Sequence, residues 1–257
     1  MNKNKKLQKI TNKIIQETKK YFKSTNAKKA ILGLSGGIDS ALTAKLLTMS
    51  LGRKKVVALI MPDSQITSKD NLEDAINFAK SLKIKYYVVD IRPILNKFEN
   101  LPWKQSKTAK ANLSARIRAV ILYNYANSHK AIVTGTGNKT EFHLGYFTKY
   151  GDAAADFFPI ISLLKKQVIE LAEQLEIPQK IIEKAPTAEL WKGQTDEKEL
   201  GLTYKEIDEA LELLLKNNKN KIEPNKKLKA KKSVKKILEL IKKSKHKRAS
   251  PKFILVN

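Results

Sequence analysis

The chain has 257 residues and no cysteine, which excludes disulfides, thiolate metal sites and a cysteine nucleophile. Hydrophobic residues make up 42% of it, enough for a substantial core, so the chain is not disordered. Its 51 Lys and Arg exceed its 25 Asp and Glu, giving a formal charge of +26. The lysines are spread over polar helical positions with few arginines or aromatic residues among them. This pattern favours a solvated surface over a nucleic-acid site.

The N-terminal segment places Leu7, Ile10 and Ile14 at helical spacing and predicts an amphipathic helix at about residues 4–24. Lysines interrupt its apolar positions, so it does not resemble a signal peptide. No later apolar run has membrane-spanning length. Together with the lack of cysteine, this leads us to expect a cytoplasmic protein without membrane contact.

Short β-branched runs alternate with helical patterns from residue 28 to about residue 160. This alternation predicts an α/β fold with a doubly wound, Rossmann-like parallel sheet covered by helices. Ligands of such sheets bind at the carboxyl ends of the strands. The predicted strands are Ala30–Leu34, Val56–Met61, Tyr86–Val89 and Ala131–Gly135. The predicted helices between them end near Leu51, run through Leu72 to Ala79, and span about Thr108–Tyr125.

The remainder, residues 161–257, has a mainly helical pattern. Helices are predicted at Leu163–Leu175 and Ile207–Leu215, separated by a functional loop from Pro186 to Gly201. The lysine-rich tail from Asn225 to Lys245 predicts an amphipathic docked helix, with an RNA-binding arm as the alternative. No linker is visible, so we expect residues 1–257 to form a single domain.

A glycine-rich stretch, Leu34 to Ser40, follows the first predicted strand and leads into a helical pattern. Paired glycines let backbone N–H groups approach an anion, and a helix N-terminus adds donors and a positive dipole end. The stretch therefore predicts a pyrophosphate cradle. It lacks the Gly-Lys-Ser/Thr ending of the common P-loop, and Asp39 takes that place. Asp39 is either a Mg²⁺ ligand beside the phosphates or an ordinary acid in a first helical turn.

A second cluster, Gly135 to Glu141, follows the last predicted strand and should emerge at the same sheet edge. Thr136 is placed to bond a nucleotide there, and Glu141 to join Asp39 on Mg²⁺, since hard cations take oxygen ligands. Taken alone, Gly-Thr-Gly is equally typical of an ordinary strand-to-helix turn.

Motifs in order along nearly the whole chain resemble the NAD⁺ synthetases, within the larger group of ATP pyrophosphatases. The Thr148–Asp152 and Gly193–Glu197 stretches separate this family from its relatives, which share the ATP loop. The matching stretches are Gly33 to Ser40, Asn112 to Arg118, Gly135 to Glu141, Gly145 to Asp152, Pro186 to Trp191, Gly193 to Glu197 and His246 to Arg248.

The resemblance implies a carbon–nitrogen ligase for the last step of NAD⁺ biosynthesis. ATP would activate the nicotinate carboxylate of deamido-NAD⁺ as an adenylate with release of pyrophosphate, and ammonia would then displace AMP. The family also implies a homodimer that binds the dinucleotide between its subunits. Shared sites of this kind would explain functional residues at both ends of the chain.

The resemblance assigns roles by position in the motifs. Asp39 and Glu141 would hold Mg²⁺, and Lys165 would be the electrostatic catalyst with Asp152 as a second catalytic residue. From periodicity alone, Lys165 would instead be a solvated lysine. The implied ATP-binding residues are Gly33, Leu34, Ser35, Gly36, Gly37, Ile38, Asp39, Ser40, Thr136, Lys165 and Thr187. The implied deamido-NAD⁺-binding residues are Arg118, Lys149, Asp156, His246 and Lys247, with Arg116 as a further candidate.

One departure from the family pattern is Ala153-Ala154, which replaces the usual glycine pair after Gly151-Asp152. A Cβ at a position that needs positive φ costs on the order of 1 kcal/mol, so loop closure or ammonia access would change. We expect retained activity with an altered rate. Larger family members obtain nitrogen from glutamine through a cysteine nucleophile in a separate domain. Without a cysteine, this chain should use free ammonia unless a partner subunit delivers it.

Two alternatives remain open from the sequence. A tRNA-modifying ATP pyrophosphatase would use the same loop to adenylate a base, and the positive charge would then have a purpose. A non-catalytic nucleotide-binding or RNA-binding protein would have a degenerate site, although the metal carboxylates, Lys165 and both loops are all present.

Overall fold

Four parallel strands form the centre of the fold, in the spatial order β3-β2-β1-β4. The computed structural model describes residues 2–191, 193–216 and 232–254. The predicted parallel sheet is confirmed, and each predicted strand is correct within two residues. The strands are β1 (Lys29–Gly33), β2 (Val56–Ile60), β3 (Lys85–Val88) and β4 (Ala131–Thr134).

Helices cover both faces of this sheet, as the sequence predicts. Two of them, α3 and α5, begin with serine caps: Ser68 and Ser106 each accept a hydrogen bond from the backbone N–H three residues on, at 3.2 and 3.1 Å. The helices are α1 (Lys3–Lys23), α2 (Ile38–Leu51), α3 (Lys69–Ser81), α4 (Arg92–Asn96), α5 (Lys107–His129), α6 (Lys139–Leu144), α7 (Lys165–Gln174), α8 (Gln179–Ile182), α9 (Asp196–Leu200), α10 (Tyr204–Lys216) and α11 (Lys232–Lys243).

The sheet core is divided between its two faces by the alternation of strand side chains. In β1, Ala30 and Leu32 pack in the cluster with α1, α2 and α7, whereas Ile31 points to the opposite cluster beneath α5. All three are fully buried, as expected for a strand of a sheet covered on both sides. Because the buried strands β1 and β4 are parallel neighbours, the loops that follow them lie at the same edge of the sheet.

The C-terminal helices form a third apolar cluster, in which Ile207, Leu211 and Leu214 of α10 meet Val234 and Ile237 of α11. The predicted docking of the tail helix is therefore confirmed over Lys232–Lys243. The earlier part of that prediction, residues 225–231, lies outside the described residues. The predicted division of the single domain near residue 160, into an α/β part and a helical C-terminal part, remains a prediction.

Four short helices were not predicted from the sequence: α4, α6, α8 and α9. Each has four to six residues, too few to show a helical apolar period. Helix α9 begins inside the segment predicted as a loop, so that prediction was wrong for Asp196–Leu200. Within the described part of the chain, no helix is long and apolar enough to cross a membrane.

Gly135, at the end of β4, lies so close to the ring of Phe158 that a Cβ at this position would overlap three ring atoms. We expect Gly135→Ala to lower the free energy of unfolding by about 2 kcal/mol, because the half-buried ring of Phe158 must move away from the end of β4. Urea denaturation measures this change. Gly137→Ala is the control, since the nearest atoms to its Cβ lie at 3.9 Å. Equal losses in both variants would contradict the steric explanation.

Candidate active site

The loop between β1 and α2 presents its backbone toward the carboxyl edge of the sheet. Gly37 is the N-cap of α2 and has no side chain that could accept from the first N–H groups of the helix. Gly36 has a φ of 83°, a conformation that glycine adopts without strain. The Ser40 hydroxyl accepts from Ser35 N at 3.2 Å and donates to the Gly37 carbonyl at 2.9 Å. The Gly37 N–H donates in turn to the Ser35 hydroxyl at 3.3 Å. The two serine hydroxyls thus hold the loop in a turn whose N–H groups lie at the start of α2, where an anion binds favourably.

Asp39 joins the two loops with a third element. One carboxylate oxygen accepts from the Lys165 ammonium at 2.5 Å, and the other accepts from the Asn138 amide at 2.8 Å. The Lys165 side chain is only 3% exposed. The alternative of a solvated Lys165 is therefore wrong: a buried ammonium must be paired with a charge.

The position of Lys165 is fixed by a buried carboxylate from α10. Asp208 is 1% exposed and accepts from the Thr140 hydroxyl at 2.6 Å and from Lys166 N at 2.8 Å. The same hydroxyl accepts from Lys165 N at 3.0 Å. Asp208 thereby caps the start of α7, a helix whose own N-cap, Leu164, has no side-chain acceptor. This arrangement orients Lys165 toward Asp39.

Glu141 lies beside this ion pair. Its carboxylate accepts from Asn138 N at 3.1 Å, and the Asn138 side chain accepts in return from Glu141 N at 2.9 Å. Burial and the negative charge of Asp39 raise the pKa of Glu141 well above its usual value, against the opposing charge of Lys165. Burial lowers the pKa of Lys165, but Asp39 and Glu141 outweigh it and raise that pKa overall. When both carboxylates are ionised, the centre therefore has more negative charge than its single lysine neutralises.

A group of hydrogen-bonded side chains beneath Lys165 was not predicted from the sequence. The ring of Tyr204 lies 5.0 Å from the Lys165 ammonium, and its hydroxyl donates to Asp196 at 2.9 Å. Tyr146 donates to the other oxygen of Asp196 at 3.2 Å. Burial raises the pKa of Asp196, although the bond from Tyr204 opposes this effect. The only sequence signal for Asp196 was its place in the Gly193–Glu197 motif.

A cavity of about 340 Å³ adjoins the cluster and extends to the C-terminal segment. Glu141 and Asn138 are among the residues that line it. Three of the predicted substrate or catalytic residues, Lys149, Asp152 and Lys247, line its other walls. Asp152 accepts from Thr148 N at 2.8 Å, and Lys247 donates to the Phe147 carbonyl at 2.7 Å. The structure thus brings these predicted residues into one cavity.

Other predicted residues do not line this cavity. Arg118 donates to the Met61 carbonyl at 2.9 Å, at the carboxyl end of β2. Asp156 accepts from Tyr123 at 3.0 Å and from Val133 N at 2.9 Å, and so braces β4. Their predicted binding of deamido-NAD⁺ therefore remains a prediction.

Several predicted binding residues make hydrogen bonds with other parts of the protein. Lys149 donates to the carbonyl of His246 at 3.0 Å, while the His246 side chain is exposed. Arg116 donates to the Lys149 carbonyl at 3.3 Å. Thr187 accepts from Glu189 N at 3.0 Å, and Thr136 is half-buried after β4. Each stays a prediction as a binding residue.

The two alanines that replace a glycine pair fit without backbone strain. Neither Ala153 nor Ala154 has a positive φ, and their N–H groups donate to the Thr148 and Gly151 carbonyls at 3.4 and 2.9 Å. The expected cost of a Cβ at positive φ therefore does not arise in this conformation.

The family model described as NAD synthase matches residues 10–251. The chain belongs to the NAD synthase family. An NH(3)-dependent NAD(+) synthetase from Archaeoglobus fulgidus is 42% identical over 244 residues, which is 95% of each chain. The solved NH3-dependent NAD synthetase from Campylobacter jejuni has a TM-score of 0.80 at 33% identity and covers 99% of this chain and 100% of its own. The NMN synthetase from Francisella tularensis has a TM-score of 0.83 at 35% identity, with 98% of each chain covered.

These matches confirm the fold and the reaction expected from the sequence. The protein is a ligase that forms NAD⁺ from deamido-NAD⁺, ATP and ammonia. They favour this reaction over the tRNA-directed alternative and over a non-catalytic nucleotide-binding protein.

Proposed function

We propose that the Asp39–Lys165–Glu141 centre is where this NAD synthase adenylates deamido-NAD⁺. The observation that carries the proposal is the buried Lys165 ammonium on Asp39, directly beside the phosphate loop. A carboxylate oxygen of the substrate attacks the α-phosphorus of ATP, and the bond from that phosphorus to the pyrophosphate oxygen breaks. Lys165 supplies positive charge where negative charge develops on the phosphate oxygens, in a site shielded from water.

The two carboxylates fit a magnesium ion. The raised pKa of Glu141 shows that burial and the charge of Asp39 disfavour its ionised form, and a divalent cation would offset both effects. No group of three His, Asp or Glu side chains arranged for a metal occurs within the described residues, so phosphate oxygens would complete the ligand set. Asp39 and Glu141 would hold the ion, which would neutralise phosphate charge and orient the leaving pyrophosphate.

The second half-reaction belongs to the adjoining cavity. Ammonia attacks the carbonyl carbon of the adenylate, loses a proton, and AMP leaves with the electrons of the carbon–oxygen bond. Lys149 and Lys247 provide positive charge in the cavity wall for the anionic dinucleotide, while Asp152 accepts a proton or binds ammonium.

A homodimer is part of this proposal. Val120, in the middle of α5, is 69% exposed, and Tyr150 at the cavity is 59% exposed. Association of two copies would remove such apolar surface from water and would place a partner beside the cavity. Light scattering should give twice the mass of the chain, and the mass of a single chain would contradict the dimer.

Product analysis tests the proposed function. Purified protein with Mg²⁺-ATP, deamido-NAD⁺ and ammonium should form NAD⁺, AMP and pyrophosphate in equal amounts. Because one structural relative is an NMN synthetase, parallel reactions contain the mononucleotide counterpart of deamido-NAD⁺. Faster turnover of the mononucleotide would contradict the dinucleotide assignment. Comparable turnover with glutamine in place of ammonium would contradict the use of free ammonia.

A further inference from the structure

A lysine outside the centre described above is bound to the phosphate loop. Lys184 follows α8 in the chain, and its side chain is 20% exposed. Its ammonium contacts the Gly36 carbonyl oxygen at 3.5 Å. It also donates to the Asn71 side chain and, at 2.6 Å, to Asp74 on α3. One ammonium thus connects three separate segments of the chain.

The contact with Gly36 determines the direction of a backbone donor. The carbonyl of Gly36 and the N–H of Gly37 belong to one planar peptide and point in opposite directions. A group that holds the Gly36 oxygen therefore also fixes the Gly37 N–H, which lies at the start of α2 and donates to the Ser35 hydroxyl at 3.3 Å. A bound phosphate would replace that hydroxyl as the acceptor. A correctly aimed N–H is what an anion nest requires.

Helix α3 provides a rigid support behind the same peptide. A Cβ on Gly36 would collide with the backbone oxygen of Asn71, so the loop packs directly against α3. Ser68 N, at the start of that helix, donates to the carboxylate of Glu189 at 3.2 Å. Lys184 and Glu189 therefore join the segment that contains Thr187 to α3 at two points.

We infer that Lys184 is a positioning residue for ATP: it holds the Gly36–Gly37 peptide in its anion-binding orientation without belonging to the catalytic centre. The inference rests on the proposed function, because it assumes that the loop binds ATP phosphates. Loss of Lys184 should leave the reacting groups intact and weaken ATP binding, since the N–H would no longer be preorganised.

The test compares Lys184→Met with a control on α8, the helix that precedes Lys184 in the chain. Lys180→Met removes another lysine that pairs with Asp74, at 3.0 Å, but it has no recorded contact with the loop. Each single variant leaves Asp74 one lysine partner, so an unpaired buried carboxylate does not arise. Lys184→Arg keeps the charge and serves as the conservative variant.

The readouts are Mg²⁺-ATP affinity by calorimetry, the KM for ATP, the KM for deamido-NAD⁺ and kcat. For Lys184→Met we expect ATP affinity to fall about tenfold and the KM for ATP to rise to match, while kcat and the other KM change by about twofold at most. Lys180→Met should bind ATP as the wild-type protein does, and Lys184→Arg should recover part of the loss. Wild-type ATP affinity in Lys184→Met, or an equal rise of both KM values, would overturn the inference. Wild-type protein that binds ATP but forms no NAD⁺ would instead contradict the proposed function.

Discussion

Lys165→Met should reduce the rate of NAD⁺ formation at saturating substrates by about 10³-fold, because the variant lacks the buried positive charge beside the phosphate loop. Met is unbranched like Lys and only one atom shorter, so the variant keeps most of the side chain that packs near Tyr204, which lies under the ammonium. Rapid-quench measurement of pyrophosphate release reports the adenylation step directly. The loss should appear in this step and not only in the final product.

The neighbouring lysine provides the control for this experiment. Lys166 pairs with Glu212 at 2.5 Å on the surface, where its side chain is 45% exposed. We expect Lys166→Met to change the rate by about twofold at most, because an exposed ion pair contributes little. Circular dichroism must show that Lys165→Met is folded. If it is not folded, Lys165→Arg, which keeps the positive charge, is measured in its place. Pyrophosphate release at the wild-type rate in a folded Lys165→Met protein would exclude the catalytic role.

Asp39→Asn should lower turnover by about 10³-fold and raise the Mg²⁺ concentration needed for half-maximal activity, because an amide is a weaker ligand for a hard cation than a carboxylate. The substitution preserves the size of the side chain and its bond with Asn138. Activity measured across a magnesium titration separates a metal-binding defect from a general loss of activity.

A second aspartate tests the alternative that Asp39 is only an ordinary acid in the first turn of a helix. Asp70 occupies the first turn of α3, as Asp39 does in α2, but it is exposed. If Asp39 acted only on the helix dipole, Asp39→Asn and Asp70→Asn would have similarly small effects on activity and on the magnesium titration. We expect only Asp39→Asn to alter them.

Local features of the sequence were sufficient for the sheet and for the loops at its edge. Strands such as Val56–Ile60 are buried on both faces of the sheet. Such a strand is a continuous apolar run, which can be recognised from adjacent residues in the sequence. Glycines that precede a helix indicate an anion cradle from local sequence as well, because the anion is bound by backbone N–H groups of those same residues. Asp39 and Glu141 could be named because each follows such a glycine stretch, in the first turn of the next helix. The cytoplasmic location and the roles of Arg118 and Asp156 in binding remain predictions.

Only the tertiary structure shows which of the many lysines are removed from water. The family motif, and not periodicity, had assigned a role to Lys165. Lys165 and Lys166 are adjacent in the sequence, yet one is buried on Asp39, 126 residues away, and the other is on the surface. Lys184 meets Gly36 across 148 residues, and Tyr204 lies beneath Lys165 through the packing of α10 against α7. The sequence alone determined the sheet, the two loops and the family motifs. The fold decided which charges are removed from water, because burial depends on contacts between segments that are distant in the chain.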